Sequence, residues 1–145
     1  MGQTATSTDT TEREYASRVL ADEADAIRRA ADALGDDFAR AVACIQHATE
    51  AGGTVLVSGL GKSGLIGQKI AATMSSLGIP AHAVHPTEAA HGDLGRFRKA
   101  DVAICISHSG ETEEVVALAA ILKQDGIPII AITRGRAPDD ARTPP

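Results

Sequence analysis

The chain has 145 residues, a length that suits one domain of ordinary size. Apolar residues make up 43% and aromatics 2%, so the core has to be built from Ala, Val, Ile and Leu. A formal net charge of −5 excludes the basic face that nucleic acid or an anionic membrane would need, but not a small anion held by a few local donors.

Residues 1–11 are polar, rich in Thr and Ser, and lack the apolar stretch of a secretory signal, so they read as a disordered tail. From Glu12 the pattern turns helical. Leu20, Ala24, Ile27, Ala31 and Leu34 recur at three- and four-residue spacing among Asp, Glu and Arg, and Gly35 is a stop. A second helix is expected from Asp36 to Ala51, with Phe38, Val42, Ile45 and Ala48 on its apolar face and Gly52-Gly53 as its end. Thr54 to Ser58 is a short β-branched run without alternation, as a strand buried on both faces requires. Gly59 to Gly64 is a glycine-rich turn. It opens a helix over Ser63–Leu77 that carries Ile66, Ile70, Ala71, Met74 and Leu77 on one side.

A second strand is expected over Ala81–Val84, followed by a long polar connection, His85 to Arg98. The third strand is Val102–Ile106, and Ser107 to Glu111 forms another tight polar turn. The helix Thr112–Gln124 bears Val115, Val116, Leu118, Ala119 and Leu122, and a fourth strand covers Ile129–Thr133. Arg134 to Pro145 holds three prolines and no hydrophobic pattern, and reads as disordered. No apolar run reaches the ~20 residues needed to cross a bilayer. Cys44 and Cys105 match no metal spacing, and Cys105, inside an apolar run, reads as a reduced buried thiol. A soluble cytoplasmic protein is expected. Two helices followed by β-α-β-loop-β-α-β predict an α/β fold, a parallel sheet with helices on both faces.

In such sheets ligands bind beyond the carboxyl ends of the strands, where three segments of this chain fall. Gly59-Leu60-Gly61-Lys62-Ser63-Gly64 follows a strand and opens a helix. Its glycines let backbone N–H groups approach an anion at the helix amino end. The spacing fits the dinucleotide fingerprint, but Val84-His85-Pro86 stands where a nicotinamide site wants an acidic residue. A P-loop fails because the glycine it requires is replaced by Leu56. The bland alternative is a turn that only packs helix on strand. Ser107-His108-Ser109-Gly110-Glu111-Thr112 offers hydroxyls beside a second helix amino end, although Ser109 or Thr112 could merely cap that helix. Ser107 precedes the helix and is expected to cap nothing. The third segment, His85 to Gly95, holds His85, Glu88, His91 and Asp93. It reads either as proton-transfer groups near neutral pH or as a solvated loop with a helical turn capped by Thr87.

Together these segments resemble the sugar-isomerase (SIS) domain family, and within it the arabinose-5-phosphate isomerases. The Ser-x-Ser-Gly-Glu turn at 107–111 is common to sugar-isomerase domains, and Glu88-Ala89-Ala90-His91-Gly92-Asp93-Leu94-Gly95 is the narrower mark. The resemblance implies a three-layer α-β-α sandwich of SIS or flavodoxin-like type. Its sheet would be incomplete at the carboxyl end and preceded by two helices. The implied organisation is a partial SIS domain over 12–133 between the 1–11 tail and a non-family tail, 134–145. The break after Ile132-Thr133 is what a frame shift or a truncated gene model would leave.

The implied activity is interconversion of D-arabinose 5-phosphate and D-ribulose 5-phosphate through a cis-enediol. No cofactor and no metal are expected. Ser107, His108, Ser109 and Thr112 would hold the phosphate, Gly61 and Ser63 would frame the cleft, and His85 and Glu88 would line it. Lys62 would stabilise negative charge, with Glu111 and His91 as candidates for proton handling or hydroxyl orientation. A homo-oligomer, dimer or tetramer, is expected by analogy. A non-catalytic phosphosugar-binding module is the alternative.

Overall fold

The structure is a computed structural model and describes residues 7–90 and 93–134. Contacts divide the chain into two units, Met1–Ala39 and Arg40–Pro145. The first is dominated by α1 (Ser7–Asp32). This helix begins before Glu12, so residues 7–11, expected in the tail, are helical. That stretch holds neither Gly nor Pro, and extending a nucleated helix by a residue costs little. Arg28 pairs with Asp25 one turn back, and the Arg18 guanidinium lies 5.9 Å from the Tyr15 ring centroid. The spaced apolar residues Leu20, Ile27 and Leu34 are exposed. Residues 1–6 and 135–145, the rest of the two expected tails, lie outside the described residues.

The second unit takes in α2 (Asp36–Glu50) from Arg40 onward, then β1 (Val55–Gly59), α3 (Lys62–Ser76), β2 (Ala81–Val84) and α4 (Pro86–Ala90). A 3₁₀ turn (Asp93–Arg96), β3 (Val102–Ile106), α5 (Glu113–Gln124) and β4 (Ile129–Ile132) complete it. The strands are parallel in the order β2-β1-β3-β4. Val55, Val57, Val102, Ile104 and Ile106 face one layer, where Ala48 of α2 and Ala71 of α3 close over them. Leu56 and Ala103 face the other, packed with Ala89 of α4 and with Leu118 and Leu122 of α5. This is the expected three-layer α-β-α sandwich. Val55, Leu56, Val57 and Val102 are all but fully buried. Each such burial contributes roughly 1.5–3 kcal/mol, so the aliphatic run that marks these strands in the sequence also holds the sheet together.

The helix faces differ from the sequence pattern in detail. In α3 the inward seam is Gly67, Ile70, Ala71 and Met74, whereas Ile66 and Leu77 are exposed. In α2 the packed residues are Cys44, Ile45 and Ala48, and Val42 is exposed. Val116 of α5 also faces out. Apolar identity alone does not fix the angular position of a stripe when small residues form the contact. The polar connection after β2 contains α4, which starts at Pro86, where a fixed φ suits the first helical position.

At the amino edge of the sheet the Asp101 carboxylate, 2% exposed, joins the turn before β3 to the start of β1. Its oxygens accept the Thr54 N–H at 2.8 Å and the Arg98 N–H at 2.7 Å. Removing it leaves two backbone donors without their acceptor at the entry to β1 and β3. Asp101→Ala is expected to lower unfolding stability by about 3 kcal/mol in urea titration, since charge-assisted bonds are among the stronger ones.

Candidate functional site

Strand order reverses direction around β1. From β1 the chain moves to β2 on one side, then crosses to β3 on the other. The crevice beyond the carboxyl ends of β1 and β3 is therefore the topological switch point, where open parallel sheets bind ligands. Gly59, the last residue of β1, pairs with Ile106, the last of β3. The two turns that follow leave adjacent strands about 4.8 Å apart.

The first turn is tight. A Cβ on Gly59 would lie 2.9 Å from the Ser63 carbonyl carbon, and one on Gly64 would lie 2.7 Å from the Gly59 carbonyl oxygen. Gly61, at φ 57, caps α3 from the left-handed region, and no side chain bonds the exposed N–H groups of that helix end. Lys62 and Ser63 form its first turn, with Lys62 exposed and Ser63 half-buried.

The second turn repeats the device. Gly110, at φ 76, lets the chain bend into α5, whose N-cap is Thr112. The Thr112 hydroxyl makes no cap bond; it lies 2.8 Å from the Ser107 hydroxyl. Ser107 Oγ also accepts the Gly110 N–H at 3.1 Å, and Ser109 Oγ accepts the Glu111 N–H at 3.1 Å. Ser107 caps no helix, and its hydroxyl closes the loop that precedes α5. A hydroxyl three residues before a left-handed glycine comes within reach of that glycine's N–H once the strand-to-helix bend folds it back. The loop is tied to β4 through Ser107 N–H to Ile132 O at 3.1 Å and Arg134 N–H to His108 O at 3.1 Å. Ser107 is buried, Thr112 half-buried, and His108, Ser109 and Glu111 are exposed.

The third segment enters from β2. His85 and Glu88 are exposed, flanking the buried Pro86 and Ala89 that anchor α4. His91 lies outside the described residues. The structure thus brings together the turns bearing Gly61, Lys62 and Ser63 and those bearing Ser107, His108, Ser109, Glu111 and Thr112, with His85 and Glu88 beyond β2.

Helix direction separates the two edges of the sheet. α3 and α5 present amino ends at the carboxyl edge, where partial positive charge and free N–H groups favour an anion. A cleft of about 210 Å³ opens at the amino edge, lined by Cys44, His47, Lys99, Asp101, Gly126 and others. It faces the carboxyl ends of α2 and α5, the wrong pole for an anion. Glu113 and Glu114 already occupy the first turn of α5, so positive charge for an anion comes chiefly from Lys62 and the end of α3.

Sequence reasoning missed Ser58. It is 2% exposed near the end of β1, and its hydroxyl has no hydrogen-bond partner. The signal was a polar residue inside Val55-Leu56-Val57-Ser58. Its in-register neighbour Cys105 is buried, and desolvation pushes that thiol up to about 11, so it stays protonated and inert at neutral pH.

A profile of the SIS domain matches residues 49–138, reaching past Thr133. The chain belongs to the SIS domain family. It is 43% identical over 118 residues to arabinose 5-phosphate isomerase KdsD of Pseudomonas aeruginosa, covering 81% of this chain and 35% of that protein. Against arabinose 5-phosphate isomerase GutQ of Escherichia coli it is 49% identical over 105 residues, 72% of this chain and 32% of the other. The chain therefore spans about a third of the length of these relatives. Among solved structures, an E. coli CFT073 protein in complex with A5P superposes with a TM-score of 0.79 at 39% identity, covering 90% of this chain and 67% of that one. A phosphosugar isomerase of Bacteroides fragilis involved in capsule formation, so described provisionally, gives 0.78 at 35% identity, covering 84% and 64%.

Because Ser107 holds the loop, Ser107→Ala should cost about 1 kcal/mol of stability even without ligand. Chemical denaturation of the ligand-free variant checks this; an unchanged midpoint would mean that the Gly110 N–H finds another acceptor.

Proposed function

We propose that the chain binds a phosphosugar at the carboxyl edge of its sheet and serves interconversion of D-arabinose 5-phosphate and D-ribulose 5-phosphate. One observation carries the reading. Two helix amino ends, α3 and α5, stand at adjacent strand ends with no side chain bonded into either. The likeness to KdsD and GutQ supports the choice of sugar.

In this reading the phosphate lies across Ser107, His108, Ser109 and Thr112, with Gly61 and Ser63 framing the cleft and His85 and Glu88 toward the sugar hydroxyls. Removing the proton at carbon 2 of the aldose gives a cis-enediol, and returning a proton at carbon 1 gives the ketose. Electrons stay within the substrate, so the step balances without an oxidant or reductant. Lys62 stabilises the enediolate oxygen as charge develops. Glu111 and His91 are the candidates for moving the proton. The free thiols Cys44 and Cys105 support a reducing, cytoplasmic setting. The exposed apolar residues of α1 support self-association as a dimer or tetramer. Residues 12–133 are the proposed functional stretch.

The test is ribulose 5-phosphate formation from arabinose 5-phosphate by this chain, with ligand-induced thermal stabilisation measured in parallel. Lys62→Ala and Glu111→Gln are each expected to lower turnover by roughly 100-fold or more. Stabilisation without turnover in the unsubstituted chain would assign a non-catalytic phosphosugar-binding module instead. Neither stabilisation nor turnover would overturn the reading.

A further inference from the structure

Among the described residues one buried side-chain polar atom lacks a hydrogen-bond partner, the hydroxyl of Ser58. Such groups are rare in folded proteins because an unmade buried bond costs free energy, and each needs a reason. Alanine or valine would fill this strand position without that cost.

The position supplies the reason. Ser58 is the penultimate residue of β1 and lies opposite Val84 of β2 and Cys105 of β3. Strand alternation puts it on the same face as Leu56, the face covered by α4 and α5. Ser107, two residues beyond Cys105, still donates its N–H to Ile132, so the extended ladder continues through it. Its side chain therefore shares the face of Cys105 and Ser58. The two serines are one rung apart on neighbouring strands, about 8 Å between Cα atoms from strand spacing and rise. Ser107 has its bonds with Gly110 and Thr112; Ser58, directly below the crevice, has none.

We infer that Ser58 is a specificity residue of the carboxyl-edge site, its hydroxyl held for a hydroxyl of the bound sugar's carbon chain rather than for the phosphate. This rests on the phosphosugar reading above. Its oxygen is enclosed in the ligand-free chain, so the contact forms as the neighbouring side chains of this face shift on binding. The free chain carries an unmade bond and the complex makes it.

Titration of the unsubstituted chain and of Ser58→Ala with arabinose 5-phosphate and with inorganic phosphate tests this, alongside ligand-free melting. The expected result is at least fivefold weaker binding of arabinose 5-phosphate by Ser58→Ala, inorganic phosphate affinity unchanged within twofold, and an equal or higher ligand-free melting temperature. Equal sugar phosphate affinity in both proteins would overturn the role of Ser58 and leave the phosphosugar reading standing. So would a parallel loss of phosphate affinity, or a fall in ligand-free melting temperature, either of which makes the hydroxyl structural. An unsubstituted chain that binds neither ligand would overturn both.

Discussion

The backbones of Gly59 and Gly64 touch, and the site depends on that contact. With no side chain at either position, the first turn of α3 folds directly back over the last residue of β1. A methyl group at either would press on backbone atoms that have nowhere to go, and the helix would have to start farther from the sheet. Gly61 completes the bend from the left-handed region. The result is a helix amino end fixed above a strand end. Register then does the rest: Gly59 opposite Ile106 means the turn after β3 emerges beside it. A phosphate-sized anion needs several donors converging within a few ångströms. Parallel pairing of two strands, each ending in a glycine-assisted bend, delivers them without any long-range loop ordering.

The two turns are not equivalent. The turn after β3 is tied internally, by the hydroxyls of Ser107 and Thr112 and by two side-chain-to-backbone bonds. The turn after β1 has no such ties and carries Lys62 at its exposed tip. In the proposed reading the turn after β3 is a cradle whose hydroxyls would exchange their mutual bond for bonds to a ligand, and the turn after β1 would supply charge. The part-buried Ser107–Thr112 bond holds the turn after β3 in shape without a ligand, which would lower the ordering entropy lost on binding.

Much of this was legible in the sequence, for identifiable reasons. β3 begins and ends where the aliphatic run at 102–106 does, because a strand buried on both faces tolerates nothing else; β2, at the edge of the sheet and only half-buried over most of its length, accommodates His82 among its small apolar residues. The glycine-rich and Ser/Gly turns were legible because tight strand-to-helix bends need those residues. The helix faces were less so. Ile66 and Leu77 fit the period of α3, yet Gly67 and Ala71 make the contact, since close approach to the sheet selects small residues that carry little hydrophobic signal. Ser107 was placed at the site but not seen as a tie, because its partners Gly110 and Thr112 meet it only once the chain has bent. Ser58 was read only as the last residue of the first strand for a related reason: a missing hydrogen bond is a property of three dimensions.

The sheet treats polar groups oppositely at its two edges. At the amino edge Asp101 is buried with each carboxylate oxygen matched to a backbone donor, and the helix ends there are closed by glycine C-terminal turns such as Gly52 and Gly126. There the buried carboxylate is spent on the fold. At the carboxyl edge two helix amino ends lack side-chain caps, one buried hydroxyl lacks a partner, and a lysine stands free of any acidic neighbour in the first turn of its helix. A chain under selection for stability alone would close both edges alike, with Ser or Asp caps on α3 and an apolar residue at 58. The open carboxyl edge therefore supports the proposed binding site independently of the residue pattern by which the family is recognised.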